Sequence, residues 1–188
     1  MLFRSDGFDD AAVEELLAVV HRPVLAELAE RGTPFIGCLF AGVMLTDDGP
    51  KVLEYNCRFG DPETQSLVPL VDGDLLEALA AAAVGELTGV SIRSQGAAVT
   101  VVLAAGDYPA AGDVGSPIHG IAAAEEAGAL VFHAGTALRG GQVVTNGGRV
   151  LGVVGRGDTL ADARAAAYAG AETISFEGMR YRTDIAAG

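Results

Sequence analysis

The sequence contains no tryptophan, and aromatic residues fill only 6% of its 188 positions. Large aromatic anchors therefore do not dominate the interior, and small aliphatic residues must pack in their place. Lysine is almost missing: Lys51 is the only one. No Gly-x-x-x-x-Gly-Lys phosphate loop is present. Positive charge is scarce overall, with a formal net charge of −13. That balance argues against nonspecific binding of nucleic acid or of an anionic membrane surface. It also means that an anionic nucleotide needs local help from an arginine or a metal ion. Long hydrophobic runs are absent too: the Ala78–Val84 tract falls far short of the roughly 20 residues that span a bilayer. There are two cysteines, Cys38 and Cys57, with no Cys-x-x-Cys zinc spacing. Beside apolar strands and without a secretory signal, they read as reduced, buried thiols of a cytoplasmic protein.

Half of the residues are hydrophobic, enough for a real core in one domain or two small ones. Met1–Gly7 carries no periodic pattern and reads as a loose terminus. From Asp9 or Asp10, the spacing of Val13, Leu16, Leu17, Val20, Val24, Leu25 and Leu28 predicts a helix to about Arg31, kinked at Pro23 and stopped at Gly32. Phe35–Thr46, the turn Asp47-Asp48-Gly49-Pro50 and Lys51–Asn56 predict a hairpin. A short helix is expected after Pro62, and an alanine-rich one from Asp72 or Asp74. Gly89–Gly96 is a polar connector and the candidate domain boundary. Ala97–Ala105 then reads as an apolar strand and Gly106–Gly120 as loop. Leu130–Ala134, Gln142–Thr145 and Arg149–Arg156 read as strands, with Asn146-Gly147-Gly148 as a hairpin turn. Thr159-x-x-Asp162 resembles a capping box ahead of a last helix, which should cover one face of the small sheet. His133, in an apolar strand, reads as a satisfied core histidine, and His21 as a surface or packing one.

The densest polar stretch is Glu54-Tyr-Asn-Cys-Arg-Phe-Gly-Asp-Pro-Glu-Thr-Gln65. In an extended strand, residues two apart share a face. Glu54, Asn56 and Arg58 should therefore project together, while Tyr55, Cys57 and Phe59 turn toward a core. A carboxylate beside a carboxamide oxygen suits Mg²⁺, which takes one or two protein ligands plus substrate phosphates. Arg58, one step on, can hold a phosphate or carboxylate bidentately. Asp61 can cap a helix with Pro62 at its first position, and Glu63 sits in that first turn. Capping alone accounts for Asp61 and Glu63. It does not require the Glu-x-Asn-x-Arg alternation before them, so the run as a whole reads as a site.

Leu53-Glu-Tyr-Asn-Cys-Arg-Phe-Gly-Asp-Pro-Glu-Thr-Gln65 resembles the signature of the phosphoribosylamine–glycine ligase family, ATP-grasp enzymes of purine biosynthesis. The likeness continues through Gly42–Thr46, Tyr108-Pro109, Phe132–Thr136, Val144–Gly152 and Tyr181–Ile185, and so covers nearly the whole chain. It departs at Ala110, where the family usually has glycine after Tyr-Pro. The resemblance implies an α/β or α+β chain: residues 1–93 as the carboxy-terminal lobe of an ATP-grasp domain, and residues 94–188 as a small barrel-like sheet-and-helix domain. It implies Mg²⁺ or Mn²⁺ held by Glu54 and Asn56, with ATP as a substrate beside glycine and 5-phosphoribosylamine. Arg58 would then bind nucleotide phosphate and steady developing charge, with Asp61 and Glu63 orienting Arg58 or the substrate amine.

Many ATP-grasp enzymes carry another acid on the preceding strand, but Ala41-Gly42-Val43 stands there. Nothing in the chain matches the first nucleotide-binding lobe with its lysines and glycine-rich flap. The resemblance is therefore to a carboxy-terminal portion, as from a truncated reading frame or a split gene whose other product is the amino-terminal half. Such a chain is expected to be inactive alone. Two other readings stay open: a noncatalytic packing or assembly module derived from such a ligase, and an ATP-grasp ligase for another carboxylate. The specificity of Arg58–Gln65 argues against the latter.

Overall fold

The structure, a computed structural model, describes residues 9–187. The expected loose terminus at Met1–Gly7 lies outside the described residues. The chain divides into two compact units. One comprises the residues up to Asp61 together with Val71–Ser94; the other comprises Pro62–Leu70 and everything from Gln95 onward.

In the first unit, Asp9 caps α1 (Asp10–Leu16) by accepting from the Ala12 N–H at 2.9 Å. A π-helical turn, Leu17–His21, joins it to α2 (Arg22–Glu30). Pro23 has no N–H to return to the preceding turn. The chain answers with one wider turn, in which the Arg22 N–H reaches the Leu17 carbonyl. The α2 end is a Schellman motif: Gly32 N–H bonds Ala29 and Thr33 N–H bonds Leu28. The hairpin follows as β1 (Phe40–Thr46) and β2 (Gly49–Asn56), antiparallel, with a register shift between Gly42 and Val43. A short ladder pairs β3 (Val71–Asp72) with β4 (Arg93–Ser94). Between them runs α4 (Leu75–Val84), capped by Asp74; it follows α3 (Glu63–Leu67) of the second unit. Val20 and Ala78 are buried in this unit.

The second unit holds the main core. One antiparallel sheet has the order β5-β10-β7, formed by Ala97–Ala104, Arg149–Gly157 and Leu130–His133. Another has the order β6-β9-β8, formed by Asp113–Pro117, Gln142–Gly147 and Thr136–Arg139. The two sheets remain separate three-stranded ladders, so the barrel-like closure expected from the resemblance is not formed among the described residues. The short α5 (Ile121–Glu126) precedes β7, and α6 (Leu160–Thr173) follows β10. Thr159 caps α6, accepting from Asp162 N–H at 3.1 Å. On α6 the buried positions are Ala163, Ala167, Gly170 and Ala171, a stripe of small residues at helical spacing. They allow the helix to lie close on β10 and β5, over Val99, Val101, Leu103, Val150, Leu151 and Val153.

Several local expectations are corrected. Asn146-Gly147 is not a hairpin turn but the end of β9, which pairs with β6 and β8 rather than with β10. The tight hairpin turn is Gly140-Gly141 between β8 and β9, where φ values of +57° and +81° give the primed twist. The supposed loop Gly106–Gly120 contains β6, held to β9 by cross-strand bonds that the turn-rich sequence of Gly106–Gly120 does not advertise. His133 is exposed at the end of β7 and meets Thr136 Oγ1 at 3.0 Å, so it is not a core histidine. Cys57 is exposed and Cys38 half-buried; burial raises the Cys38 thiol pKa above its ordinary value. Among the described residues no helix is long and apolar enough to cross a membrane.

Candidate functional site

Strand β2 delivers the central pair. Asn56 Nδ2 donates to Glu54 Oε1 at 2.8 Å, so the two side chains share one face, as two-residue alternation requires. That bond uses one oxygen of the pair and leaves two hard oxygens, the second carboxylate oxygen of Glu54 and the carbonyl oxygen of Asn56. Opposite Glu54 in the register stands Gly42. A Cβ at Gly42 would make an ordinary contact with Glu54 Cγ at 3.4 Å. The register shift falls at this same point, between Gly42 and Val43; irregularities of this kind re-aim side chains next to functional sites.

The donor chemistry fits a small hard divalent cation. A carboxylate and a carboxamide supply the one or two oxygens that Mg²⁺ takes from protein, leaving room for water and phosphate oxygens. Among the described residues no cluster of three or more His, Cys, Asp or Glu offers a closed metal cage. The pair therefore suits a cation carried largely by its ligand's phosphates rather than a structural ion.

The remaining expected residues are placed differently. The strand ends at Asn56, and Arg58 lies on a bend beyond it. Its alternation with Glu54 and Asn56 is thus lost, and its exposed guanidinium donates through Nη1 to the Phe59 carbonyl at 2.8 Å. The cap position expected at Asp61 falls one residue later, at Pro62, and Glu63 is the first residue of α3. Asp61 belongs to the first unit and Glu63 to the second.

Within the second unit, Glu63 and Ser66 line a cavity of about 220 Å³ together with Thr100, Leu160 and Ile185. Ser66 and Thr100 share a hydrogen bond of 2.6 Å at its wall. The sequence offers no pattern that joins positions 66 and 100, which come together only through folding. Tyr55 was legible only as a core-facing residue. Its hydroxyl in fact donates to the Val20 carbonyl, and its ring meets His21 edge-on, with centroids 6.3 Å apart.

Comparison with known proteins places the chain in a family. The family model described as "Phosphoribosylglycinamide synthetase, ATP-grasp (A) domain" matches residues 5–64, and "Phosphoribosylglycinamide synthetase, C domain" matches residues 98–188. The chain belongs to the phosphoribosylglycinamide synthetase family. The synthetase ATP-grasp match contains Glu54, Asn56, Arg58, Asp61 and Glu63.

Relatives in this family include a phosphoribosylamine–glycine ligase of Caldanaerobacter subterraneus, 44% identical over 96% of this chain and 43% of its own length. One from Neisseria meningitidis is 49% identical over 92% of this chain and 41% of its own. The trifunctional purine biosynthetic protein adenosine-3 of Gallus gallus is 46% identical over 92% of this chain and 18% of its own. The crystal structure of the phosphoribosylamine–glycine ligase of Thermotoga maritima matches with a TM-score of 0.77 and 40% identity, over 92% of this chain and 42% of that one. The chain thus spans about two fifths of the length of the single-function synthetase relatives it matches.

Proposed function

We propose that the chain is the metal-holding part of a phosphoribosylamine–glycine ligase. The full enzyme joins glycine to 5-phosphoribosylamine, with ATP converted to ADP and phosphate, and yields glycinamide ribonucleotide in purine biosynthesis. Residues 1–93 serve as the carboxy-terminal lobe of the ATP-grasp domain, and residues 94–188 as a small β-rich domain. The rest of the ligase, which carries the first nucleotide-binding lobe, is the partner this portion needs. It works in the cytoplasm on small molecules, with no role for nucleic acid or a membrane.

The observation that carries this reading is the Glu54–Asn56 pair, joined at 2.8 Å on one face of β2, inside the ATP-grasp match. The chemical problem is repulsion: the γ-phosphate of ATP must approach a glycine carboxylate, and both are anions. Glu54 and Asn56 hold Mg²⁺ or Mn²⁺ through their free oxygens. The cation, when bound, neutralises and aligns the phosphate oxygens. The exposed Arg58 guanidinium exchanges the Phe59 carbonyl for a phosphate oxygen, where its fork steadies charge on the transferring group. Asp61 orients Arg58 or the incoming amine. The glycine carboxylate is thereby activated as an acyl phosphate, and the amine of phosphoribosylamine displaces phosphate from it.

The test joins this chain to the amino-terminal remainder of such a ligase and measures glycine-dependent ADP release. Glu54→Ala is expected to lower activity at limiting Mg²⁺ by more than the roughly 10–100-fold typical of outer-shell changes. Unchanged kcat in that variant rules out the metal assignment. The chain by itself should release no ADP; glycine-dependent turnover by the isolated chain refutes the need for a second lobe.

A further inference from the structure

Tyr55 lies between the two proposed metal-holding residues, and its side chain is fastened elsewhere. The strands β1 and β2 form a two-stranded ribbon with no third strand among the described residues. Such ribbons are marginal alone and twist readily. Lys51, Val52, Leu53 and Glu54 are exposed, so little packing restrains that stretch of β2. Tyr55 is the exception. Its hydroxyl donates to the carbonyl of Val20, 35 residues away, and its ring stands at 82° to the ring of His21.

Both contacts fall on the π-helical turn Leu17–His21. Val20 is buried, with 3% of its surface exposed, so this turn is the fixed side of the contact. His21 Nδ1 is buried without a hydrogen-bond partner, which leaves its ring acting here as a packing surface for Tyr55. The wider turn is where a helix departs from regular bonding, and such turns recur beside functional sites.

We infer that Tyr55 is a positioning residue: tethered to Val20 and braced by His21, it fixes the roll of β2 so that Glu54 and Asn56 present their oxygens together to a divalent cation. This rests on the reading that the pair holds the cation. Because Glu54 and Asn56 flank Tyr55, any rotation of the strand about its axis swings both at once. The aromatic ring supplies packing, but the hydroxyl supplies direction.

Tyr55→Phe removes the tether and keeps the ring. Two measurements on the full chain read the result. The first is the nitrogen-15 NMR signal of the Asn56 side-chain amide, assigned with Asn56→Asp. The bond to Glu54 should shift the donating amide proton of the unaltered chain away from its free-amide position; in Tyr55→Phe that proton should move back toward the free-amide value. The second is Mn²⁺ binding followed by electron paramagnetic resonance, with and without ATP, where the affinity should fall about tenfold, as for other outer-shell changes. His21→Leu keeps the hydroxyl bond and removes the ring contact; it should move both readouts the same way by less, and it decides alone if Tyr55→Phe does not fold. An Asn56 amide and an Mn²⁺ affinity unchanged in the folded variants overturn the inference. If Mn²⁺ with ATP fails to bind even the unaltered chain joined to the amino-terminal remainder of the ligase, while the Asn56 amide still responds to Tyr55→Phe, the metal reading falls and the positioning role stands.

Discussion

Gly155 and Gly152 lie three residues apart on the same central strand, yet a methyl group at each meets a different fate. A Cβ at Gly155 would stand 2.1 Å from the Ala167 nitrogen and 2.2 Å from the Ala163 carbonyl oxygen. Both are backbone atoms of α6, so no rotamer change relieves the overlap. A Cβ at Gly152 would lie 3.5 Å from Thr100 Cγ2, an ordinary contact. Neither glycine has a left-handed φ, so the comparison is steric alone. To accept Gly155→Ala, α6 must retreat by over 1 Å, and even 0.5–1 Å of separation forfeits about a quarter to a half of each dispersion contact. The contacts at stake are those of Ala163, Ala167 and Ala171, each fully buried. Overpacking ordinarily costs about 1–3 kcal/mol; with backbone on both sides, the upper end, about 3 kcal/mol or more, applies here. Gly152→Ala should stay within about 1 kcal/mol of the unaltered chain, since its Cβ fits and a strand interior favours alanine over glycine. Urea unfolding followed by tyrosine fluorescence compares them, because Tyr168 sits on α6. Equal midpoints for the two variants refute the close-packing account of this helix.

Thr145 is a buried polar side chain with no exposed surface, and its hydroxyl accepts from the Ser116 N–H at 2.9 Å while donating to Asp113 Oδ2 at 2.7 Å. Thr145→Val keeps the shape and should cost about 1–3 kcal/mol, the penalty of leaving such partners unmatched; a loss under a few tenths of a kcal/mol in urea unfolding contradicts this. Bonds from the Ser116 side chain and from Thr145 hold the Asp113 carboxyl below its ordinary pKa. A carboxylate with a lowered folded pKa stabilises fully above its unfolded value, about 3.9, and stops doing so as pH falls through the folded one. Asp113→Asn should therefore be less stable than the unaltered chain near pH 6, with the gap closing below about pH 4; a gap constant from pH 6 to pH 3 counts against the assignment.

Local chemistry was legible wherever neighbours in sequence are also neighbours in space. Asp9, Asp74 and Thr159 cap helices through N–H groups three residues on, and the Asp47-Asp48 turn returns the hairpin. The shared face of Glu54 and Asn56 follows from strand periodicity alone, and the family resemblance rested on the unbroken run from Leu53 to Gln65. Periodicity holds only while the strand lasts, however. It ends at Asn56, which is why Arg58 leaves the row, and Asp61 and Glu63 fall into different units.

What the sequence by itself determined is therefore the identity of the polar pair, the caps and the order of most elements, because each depends on bonds within a few residues. Tertiary structure alone decided the partners of the strands, which sent β9 and β10 into separate sheets and made Asn146-Gly147 part of a ladder. It also decided the tether from Tyr55 to Val20 and the meeting of Ser66 with Thr100. Those pairings join residues about 35 positions apart. Closing such loops has a similar entropic cost for many competing pairings, so the packing of the whole unit selects among them and no short motif announces the choice.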